Sequence, residues 1–493
     1  MLNAFQRLIY PLKKKEWFPI LLILVLACCL YFYRINFRGL WIDEFFSIRD
    51  INRIAFNKGR LLYYALLHPW INISDNEVWL RTPAIIFAVV SVYIIYRLGN
   101  DLFSKKVGLM AGFLLTISPL FINHAQEIRY YTMSVCLGLC GCLGLAHSLQ
   151  QPNQKLPKLI WVVGRVLSFY TTPLNAAFLV PDILILWLKF KFKISRLISY
   201  LVLYLTIILA SIPVALSVKS YSGSHRVILP IPGVKEIFRE LRIMTVFANS
   251  PPPPYLPLLI QVVALILAIV ILVAIIKKPR TQKVLWVASW GIIPAGAIFV
   301  FSNVFYSIWN SRYLIISQPY FILLVAIGFF KIWDWRKIIG VVLAVIYMFA
   351  VSLGLVTYYT SSQRYMGALD HYRPVTQLIE SRDREGDIIM YSTFHANSFP
   401  INGGSFPFTY YYQGSTPPIY VDKREKTDKS NLQVYLKSWV ESLPPTYSRI
   451  WFIYYGGDMN IFKSVFAEQF TIESQEIIGN ANILLLIPKL DKK

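Results

Sequence analysis

Two adjacent carboxylates, Asp43 and Glu44, stand among aromatic side chains a few residues after the first long apolar segment of the chain. Aromatic rings are favoured at the membrane–water boundary, whereas carboxylates there lose hydration and rarely persist without a role. A carboxylate at that depth can accept the proton of an attacking hydroxyl group. The sequence therefore predicts that Asp43 is a catalytic base at a membrane surface.

Two further polar clusters stand at the ends of apolar segments that we expect to reach the same membrane face. Residues 123–131 read Asn-His-Ala-Gln-Glu-Ile-Arg-Tyr-Tyr, and residues 309–313 read Trp-Asn-Ser-Arg-Tyr. Arginine can hold a phosphate in a bidentate fork and stabilise its charge as it leaves. Carboxylates, arginines and tyrosines together would suit sugar transfer from a lipid-linked phosphate.

Several of these polar residues also have simpler structural explanations. Arginine and tyrosine often anchor helix ends at the membrane surface, which would account for Arg129. His124 is more readily explained as an interfacial histidine than as a metal ligand. Arg165 and Asp182, inside apolar segments, are expected to have local buried partners, although such residues can also mark a transport path.

The composition is that of a membrane protein. Of the 493 residues 56% are hydrophobic and only 15% charged, too few charges for the exterior of a soluble fold. The excess in the net charge of +23 lies before residue 358, between apolar segments. Basic residues there set topology and meet lipid headgroups, so nucleic acid is not an expected partner. All five cysteines lie in apolar segments, which predicts neither disulfides nor a zinc site.

Eleven apolar runs are predicted to span the membrane, since about 20 apolar residues cross its hydrocarbon core. They are residues 17–34, 77–97, 106–123, 130–149, 158–170, 173–188, 196–217, 256–276, 283–304, 313–331 and 337–357. Basic residues in alternate loops predict a cytoplasmic amino terminus and an extracytoplasmic carboxy-terminal domain. Phe45–Ile54, Leu61–Leu67 and an amphipathic segment around 234–244 are predicted to be helices that lie in the interface.

The composition changes near residue 358, so we predict a membrane domain over 1–357 and a soluble α/β domain over 358–493. Strand patterns occur at Asp387–Tyr391, Arg449–Tyr455, Phe470–Ser474 and Asn482–Ile487. Helical patterns occur near 366–381 and 431–442. The predicted fold class is a polytopic α-helical membrane protein with a carboxy-terminal soluble α/β domain.

The acidic pair within Trp41-Ile42-Asp43-Glu44 resembles the hallmark of the GT-C membrane glycosyltransferases, and more specifically their family-39-like branch. That branch includes protein O-mannosyltransferases and the aminoarabinose transferases of lipid A. The similarity is good over about residues 34–135, weaker from there to residue 331, and absent after residue 331. Its motifs are Leu62-Tyr63-Tyr64, Leu80-Arg81-Thr82-Pro83-Ala84, Arg97-Leu98-Gly99, Ser118-Pro119, Gln126-Glu127-Ile128-Arg129-Tyr130-Tyr131 and Arg312-Tyr313-Leu314.

The resemblance implies roles for individual residues. Asp43 would be the general base, and Glu44 would support it or a metal ion. Arg129 with Glu127 and Tyr130 would shape the donor pocket, and Arg312 would contact the donor phosphate. Arg81 and Tyr313 complete the candidate donor residues, and Arg60, Tyr63, Tyr64 and His68 are candidates for acceptor or local contacts. Many relatives carry His-Pro-Pro where this chain has Gly59-Arg60-Leu61, so no histidine is expected in that slot.

The function implied is transfer of a sugar, with inversion, from a polyprenyl-phosphate donor to a hydroxyl of a lipid, cell-surface glycan or protein. The cofactor considered is a divalent cation, with Glu44 and His124 as candidate ligands. No Asp-x-Asp in a soluble domain or glycine-rich phosphate loop points to a nucleotide sugar. The alternatives are a transporter or flippase of lipid-linked sugars and a ligase that moves a whole glycan. The expected location is a plasma membrane, most simply a bacterial inner membrane.

Overall fold

The computed structural model describes residues 14–52, 59–191, 194–221, 229–246, 256–279, 281–360, 372–393, 400–401, 404–416, 418–420, 447–455, 459–479 and 481–489. Contacts divide the chain into two compact units. The first unit is Met1–Phe37 with Ser47–Met366, and the second is Arg38–Phe46 with Gly367–Lys493. The segment that carries Asp43 and Glu44 therefore belongs with the carboxy-terminal residues, which the sequence did not predict.

The first unit is helical. Its helices are α1 (Lys14–Phe32), α2 (Ile42–Asn52, whose first residues belong to the second unit), α3 (Leu61–Ile71), α4 (Glu77–Leu102), α5 (Lys105–Thr116), α6 (Pro119–Ala125), α7 (Tyr131–Gln150), α8 (Lys155–Thr171), α9 (Leu179–Phe190), α10 (Ile194–Tyr221), α11 (Val234–Val246), α12 (Leu256–Ile276), α13 (Gln282–Val304), α14 (Ser311–Leu314), α15 (Gln318–Trp335) and α16 (Lys337–Thr360). A 3₁₀ turn, Pro173–Phe178, precedes α9.

The expected count of about eleven spans is not confirmed. In the described part of the chain, six helices are long and apolar enough to cross a membrane, or seven if one bent pair is counted. The six are Glu77–Leu102, Tyr131–Gln150, Pro173–Phe190, Leu197–Ser217, Gln282–Val304 and Lys337–Thr360. A helix does lie at each of the eleven predicted positions, but the others are shorter, less apolar or bent. Hydropathy alone therefore located the helices without fixing which of them cross.

The bent pair is α5 and α6, whose axes differ by 63°. The break falls at Ile117 and Ser118, directly before Pro119, which begins α6. Proline lacks an N–H group and disfavours helical geometry in the preceding residue, so the helix stops there and restarts in a new direction. The short α6 then leads into the polar cluster of residues 123–131.

Glycines allow the helices of the first unit to approach closely. A Cβ atom on Gly164 of α8 would lie 2.6 Å from the backbone nitrogen of Gly141 in α7. A Cβ atom on Gly99 of α4 would lie 2.7 Å from the Cα of Gly108 in α5. Small residues at such crossings are typical of membrane helices, whose association depends on close packing. These crossings pack α4 closely against α5, and α7 closely against α8.

The predicted amphipathic segment forms α11, and some of its apolar side chains are exposed while an acidic one is buried. Val234 and Phe238 are exposed, whereas Glu240, Ile243 and Met244 are buried. The side chain of Leu241 lies outside the described residues. Apolar residues can remain exposed in a membrane protein because lipid covers them, so the apolar face of a helix need not be its packed face.

The second unit contains a five-stranded sheet. Its elements are α17 (Tyr372–Glu380), β1 (Asp387–Thr393), β2 (Pro400–Ile401), β3 (Gly404–Ser405), α18 (Phe406–Tyr411), β4 (Pro418–Tyr420), β5 (Arg449–Tyr455), α19 (Met459–Gln469), β6 (Phe470–Ile478) and β7 (Ala481–Pro488). The strand order is β4-β1-β5-β7-β6, with β1 parallel to β4 and β5, and β7 antiparallel to β5 and β6. All four predicted strands are present, and the helix expected near 366–381 is seen as α17. The helix expected near 431–442 lies outside the described residues.

Burial along the strands follows their position in the sheet. Central β5 and β7 are nearly continuous apolar runs, whereas edge strand β6 alternates between exposed and partly buried side chains after its buried first residue. A strand covered on both faces needs apolar residues throughout, and a half-exposed strand needs them only at every second position. Phe452 of β5 packs with Phe466 of α19 and Leu484 of β7 in the core of this unit.

Candidate active site

The two adjacent acids at the start of α2 have different environments. Glu44 is fully buried, and its Oε2 accepts a hydrogen bond of 3.1 Å from the backbone N–H of Trp41, directly before the helix. A glutamate at the third helical position that reaches back in this way satisfies one of the unpaired N–H groups of a helix start. Asp43 is only half-buried. Glu44 thus fixes the helix start, and Asp43 is the more accessible acid.

The segment before these acids is held within the second unit. The N–H of Leu40 donates a hydrogen bond of 2.6 Å to the hydroxyl of Tyr411 in α18. Phe45 packs edge-on against the rings of Tyr372, Tyr410 and Tyr411, with ring centres 5.4–6.1 Å apart. Such aromatic pairs each contribute about 0.5–1.5 kcal/mol beyond the area they bury. The position of Asp43 therefore depends on α17 and α18.

In the first unit, Arg129 lies in the short connection between α6 and α7 and is 5% exposed. Its Nη1 donates a hydrogen bond of 3.0 Å to the hydroxyl of Ser47, in α2. Its guanidinium lies 5.5 Å from the ring centres of both Tyr130 and Tyr131. The connection itself is anchored by Gln126, whose amide donates to the carbonyl groups of residues 31 and 33 at the end of α1.

Two more arginines lie near Arg129. The guanidinium of Arg60 lies 4.4 Å from the ring centre of Tyr130, and Arg60 also interacts electrostatically with Arg129 and Tyr313. Arg312 and Arg129 both interact electrostatically with the hydroxyl of Tyr131. Three guanidinium groups close together and shielded from solvent repel one another, so the binding of an anion between them is favoured. We call Arg60, Arg129 and Arg312 the arginine cluster.

Two buried polar atoms beside this cluster have no hydrogen-bond partner in the described part of the chain. They are the hydroxyl of Tyr131 and Nε2 of His124, whose rings pack 4.7 Å apart. The other ring nitrogen of His124 lies 3.0 Å from Oε2 of Glu127. A buried polar atom left without a partner costs about 1–3 kcal/mol. Both atoms are therefore ready to bind a polar ligand or water.

The candidate acceptor residues support the helices that surround the cluster. Tyr64 donates a hydrogen bond of 3.3 Å to Oδ2 of Asp50, which also pairs with Arg49. Nδ1 of His68 lies 3.1 Å from the backbone carbonyl oxygen of Ile51 and joins α3 to α2. Tyr63 packs against Tyr64 and, 6.2 Å away, against Tyr130. Of this group, Arg60 is itself a member of the arginine cluster, and Tyr63 packs against the same tyrosine, Tyr130.

Arg81, a candidate donor ligand, has protein partners instead. It is fully buried, donates a hydrogen bond of 2.6 Å to the carbonyl of Ile35, and pairs with Glu77 at 3.4 Å. These contacts tie α4 to the end of the first helix. The structure thus gives Arg81 partners in α4 and after α1, and its role toward the donor stays a prediction.

The described residues contain no group of three or more His, Cys, Asp or Glu side chains arranged to hold a metal ion. Of the two candidate ligands, Glu44 caps α2 through Oε2, and His124 pairs with Glu127. A divalent cation would need further ligands from the substrate or from solvent.

Arg165 and Asp182, in the interior of the first unit, form a buried ion pair. Nε and Nη2 of Arg165 donate to the two oxygens of Asp182 at 2.7 and 2.8 Å. Trp161 and Trp290 donate to the same carboxylate at 2.8 and 3.0 Å. Both charged groups thus have local partners, as the structural explanation of these residues predicted.

Three contributors were missed in the sequence: Ser47, Asp50 and Tyr411. Ser47 and Asp50 follow Asp43 by four and seven residues in α2, a spacing that places side chains on one helix face. This periodicity could have identified them. No local pattern connects Tyr411 with Leu40, which are 371 residues apart.

Comparison with known proteins gives the fold and one family match. Residues 62–216 match the model of the family described as dolichyl-phosphate-mannose-protein mannosyltransferase. The apo structure of ArnT from Cupriavidus metallidurans superposes with a TM-score of 0.61 at 11% identity, over 94% of this chain and 97% of that one. The same protein bound to undecaprenyl phosphate gives 0.55, at 11% identity and the same coverages.

A third structure is the archaeal oligosaccharyltransferase AglB from Archaeoglobus fulgidus, in complex with an inhibitory peptide and a dolichol-phosphate. It gives a TM-score of 0.52 at 11% identity, over 89% of this chain and 69% of that one. No curated protein matches the sequence significantly. The chain is an integral membrane protein with the fold of the ArnT and AglB structures, and residues 62–216 match the model of the dolichyl-phosphate-mannose-protein mannosyltransferase family.

Proposed function

We propose that this protein is a membrane glycosyltransferase that moves a sugar from a polyprenyl-phosphate-linked donor to a hydroxyl acceptor. The observation that carries the proposal is the arginine cluster with its surrounding tyrosines, in which Arg129 contacts Ser47 of the helix that begins with the acidic pair. The cluster would hold the donor phosphate, and Asp43 would take the proton of the acceptor.

The choice of donor is supported by the ligands of proteins with the same fold. One binds undecaprenyl phosphate and another a dolichol-phosphate, both of which are polyprenyl phosphates. In this chain, a long apolar tail could lie among the membrane helices while its phosphate is exposed at their ends. Arginine suits such a phosphate because its planar fork matches two phosphate oxygens at once.

In the proposed reaction, the acceptor hydroxyl gives its proton to the carboxylate of Asp43 as its oxygen attacks the anomeric carbon. The bond between that carbon and the phosphate oxygen breaks, and the electron pair leaves with the phosphate. The arginine cluster stabilises the charge that develops there. Attack from the side opposite the phosphate inverts the anomeric carbon, and Asp43 then releases its proton to water.

The different environments of the two acids support their assigned roles. Glu44 is buried and caps α2, so it would position the helix and not accept the acceptor proton. Asp43 is half-buried in the first turn of the same helix. The more accessible position of Asp43 suits a group that must meet the acceptor hydroxyl.

The acceptor is a lipid, a cell-surface glycan or a protein hydroxyl, and we favour a lipid or glycan. The basic loops support an orientation with the amino terminus in the cytoplasm and the second unit outside it. A transporter of lipid-linked sugars is less well supported, since Arg165 and Asp182 are occupied by each other and by two tryptophans. A free path would need charged groups that can exchange partners with the cargo.

Purified full-length protein in detergent, incubated with a panel of polyprenyl-phosphate sugars and candidate acceptors, tests the proposal by product mass. We expect a sugar-modified acceptor with the wild type and donor binding without product with Asp43→Asn. Full sugar transfer by the Asp43→Asn variant would overturn the assignment of the base. If the wild type transferred no sugar from any lipid-linked donor but moved the donor across the membrane of vesicles, the proposed function would be overturned.

A further inference from the structure

A basic cavity lies in the first unit, away from the arginine cluster. It has a volume of about 840 Å³ and is lined by the ends of helices α4, α7, α9 and α15 and the beginnings of α5 and α13. Helix α7 starts two residues after Arg129, has 20 residues and is about 30 Å long, and the cavity lies at its last residue, Gln150. The cavity is therefore distinct from the arginine cluster.

Four lysines and one acid line this cavity: Lys106, Lys189, Lys283, Lys331 and Asp334. Lys331 has its Nζ within 2.6 to 3.3 Å of the carbonyl oxygens of residues 274, 277 and 279, so it closes the end of α12. The other three form no hydrogen bond or ion pair with any described residue, and only Lys189 lies near an aromatic ring, 6.0 Å from that of Trp286. Three available positive charges around one cavity favour a multivalent or shared anion.

The cavity opens onto surfaces that suit a hydrocarbon chain. Its lining includes Trp286 and Trp333, and tryptophan is typical of the membrane interface. From there, the exposed apolar side chains of Leu285, Ile292 and Val300 follow one face of α13 toward its other end. The basic cavity could hold the anionic headgroup of an amphiphile, and the apolar face of α13 that starts beside it could hold the hydrocarbon chains.

We propose that this cavity binds the phosphate headgroup of an anionic phospholipid, with the acyl chains along the exposed face of α13. Lysines near a membrane surface attract the anionic headgroups of lipids. A lipid held there would join the ends of α4, α5, α9, α13 and α15, which enclose the cavity. The expected ligand is a lipid resident in the leaflet at that end, and neither the sugar donor nor the acceptor is needed to bind it.

The test is native mass spectrometry of the purified full chain, titrated with dioleoyl phosphatidylglycerol or with dioleoyl phosphatidylcholine. We expect selective binding of phosphatidylglycerol, weakened about tenfold to a hundredfold in Lys106→Gln/Lys189→Gln/Lys283→Gln. The matched control is Lys155→Gln/Lys158→Gln/Lys337→Gln, which removes as many positive charges from helix starts outside the cavity and should bind like the wild type.

Asp334→Asn provides a second variant that does not depend on the triple variant folding, and it should bind phosphatidylglycerol more tightly than the wild type. Equal binding of the two lipids, or equal losses in the triple variant and its control, would overturn the proposal. An added excess of inorganic phosphate distinguishes the source of the anion. Phosphate binding without phosphatidylglycerol binding would make the ligand a free anion and refute the lipid assignment.

Discussion

The backbone N–H of Leu40 donates a hydrogen bond of 2.6 Å to the hydroxyl of Tyr411, 371 residues later in the chain. Leu40 stands three residues before Asp43, and the adjacent Gly39 leaves little room beside Tyr411. A Cβ atom on Gly39 would lie 3.2 Å from that hydroxyl and 3.4 Å from the Cβ of Arg373. The position of the proposed base thus depends on the carboxy-terminal unit.

Tyr411→Phe should lower kcat about fivefold and leave the KM for donor nearly unchanged, because the lost hydrogen bond, worth about 1 kcal/mol, positions the base and not the donor. Steady-state kinetics with a fixed acceptor measures this effect. The matched control is Tyr412→Phe, which removes a hydrogen bond of 2.7 Å to Asp383 in the same unit. Equal losses of kcat in both variants would show that general destabilisation, and not positioning, is responsible.

Asp43→Asn should reduce transfer by about a hundredfold to ten-thousandfold, because an amide cannot accept the acceptor proton. Glu44→Gln should keep most of the activity, since a glutamine can also cap the helix start. Product formation and donor binding are measured on the same preparations. If Glu44→Gln were the inactive variant and Asp43→Asn the active one, the roles of the two acids would be reversed.

Arg129→Lys should raise the KM for donor about tenfold, because lysine keeps the charge but loses the bidentate fork. Ser47→Ala removes the hydroxyl that accepts from Arg129 and should have a smaller effect of the same kind. Arg97→Lys, near the other end of α4 and paired with Asp101, is the control and should retain the wild-type KM. Donor titration at saturating acceptor separates these cases.

Asp182→Asn should destabilise the protein by about 3–5 kcal/mol, because it leaves Arg165 as a buried charge without its counter-ion. The activity per folded molecule should remain near that of the wild type. Thermal unfolding and activity normalised to monodisperse protein measure the two effects. A fully stable variant that has lost movement of lipid-linked sugar across vesicles would instead support the transporter alternative.

Glu240→Gln tests a pH dependence in α11. Burial raises the pKa of the Glu240 carboxyl above its ordinary value, and the nearby Ser311 hydroxyl and Arg239 oppose the shift only in part. Folding therefore favours the neutral form of the Glu240 carboxyl. This contribution to stability is complete below the ordinary pKa of the group and is lost as the pH rises through its raised pKa. We expect the glutamine variant to unfold at a higher temperature than the wild type at pH 7, with the difference smaller at pH 4. The same difference at both pH values would contradict this explanation.

The positions of the helices and strands could be predicted because their signals are local. Apolar runs and alternating patterns located a helix at each expected position and all four predicted strands. These patterns could not show which of the helices are long and apolar enough to cross a membrane. The break before Pro119 illustrates this, since a run that reads as one span is two helices that differ in direction by 63°.

The candidate site was predictable in part. Arg129 follows the third predicted span and Arg312 precedes the tenth, so both were expected at the same membrane face. In the structure, both interact electrostatically with Tyr131. The cap formed by Glu44 follows from its spacing of three residues from Trp41, a local signal that was available. The bond between Leu40 and Tyr411 has no such signal, because tertiary packing alone brings these residues together. Arg81 is a motif residue whose described partners are protein groups, and its role toward the donor stays a prediction.

The grouping of residues 38–46 with the carboxy-terminal unit has a consequence for biosynthesis. Every helix from α1 to α16 ends before residue 361, so all of them are translated before Tyr411. A nascent chain can therefore insert its whole helical bundle while the acidic segment still lacks its partner. A chain that ends before Tyr411 would lack the hydrogen bond that holds Leu40, so we expect the proposed base to be positioned only after these residues have been made.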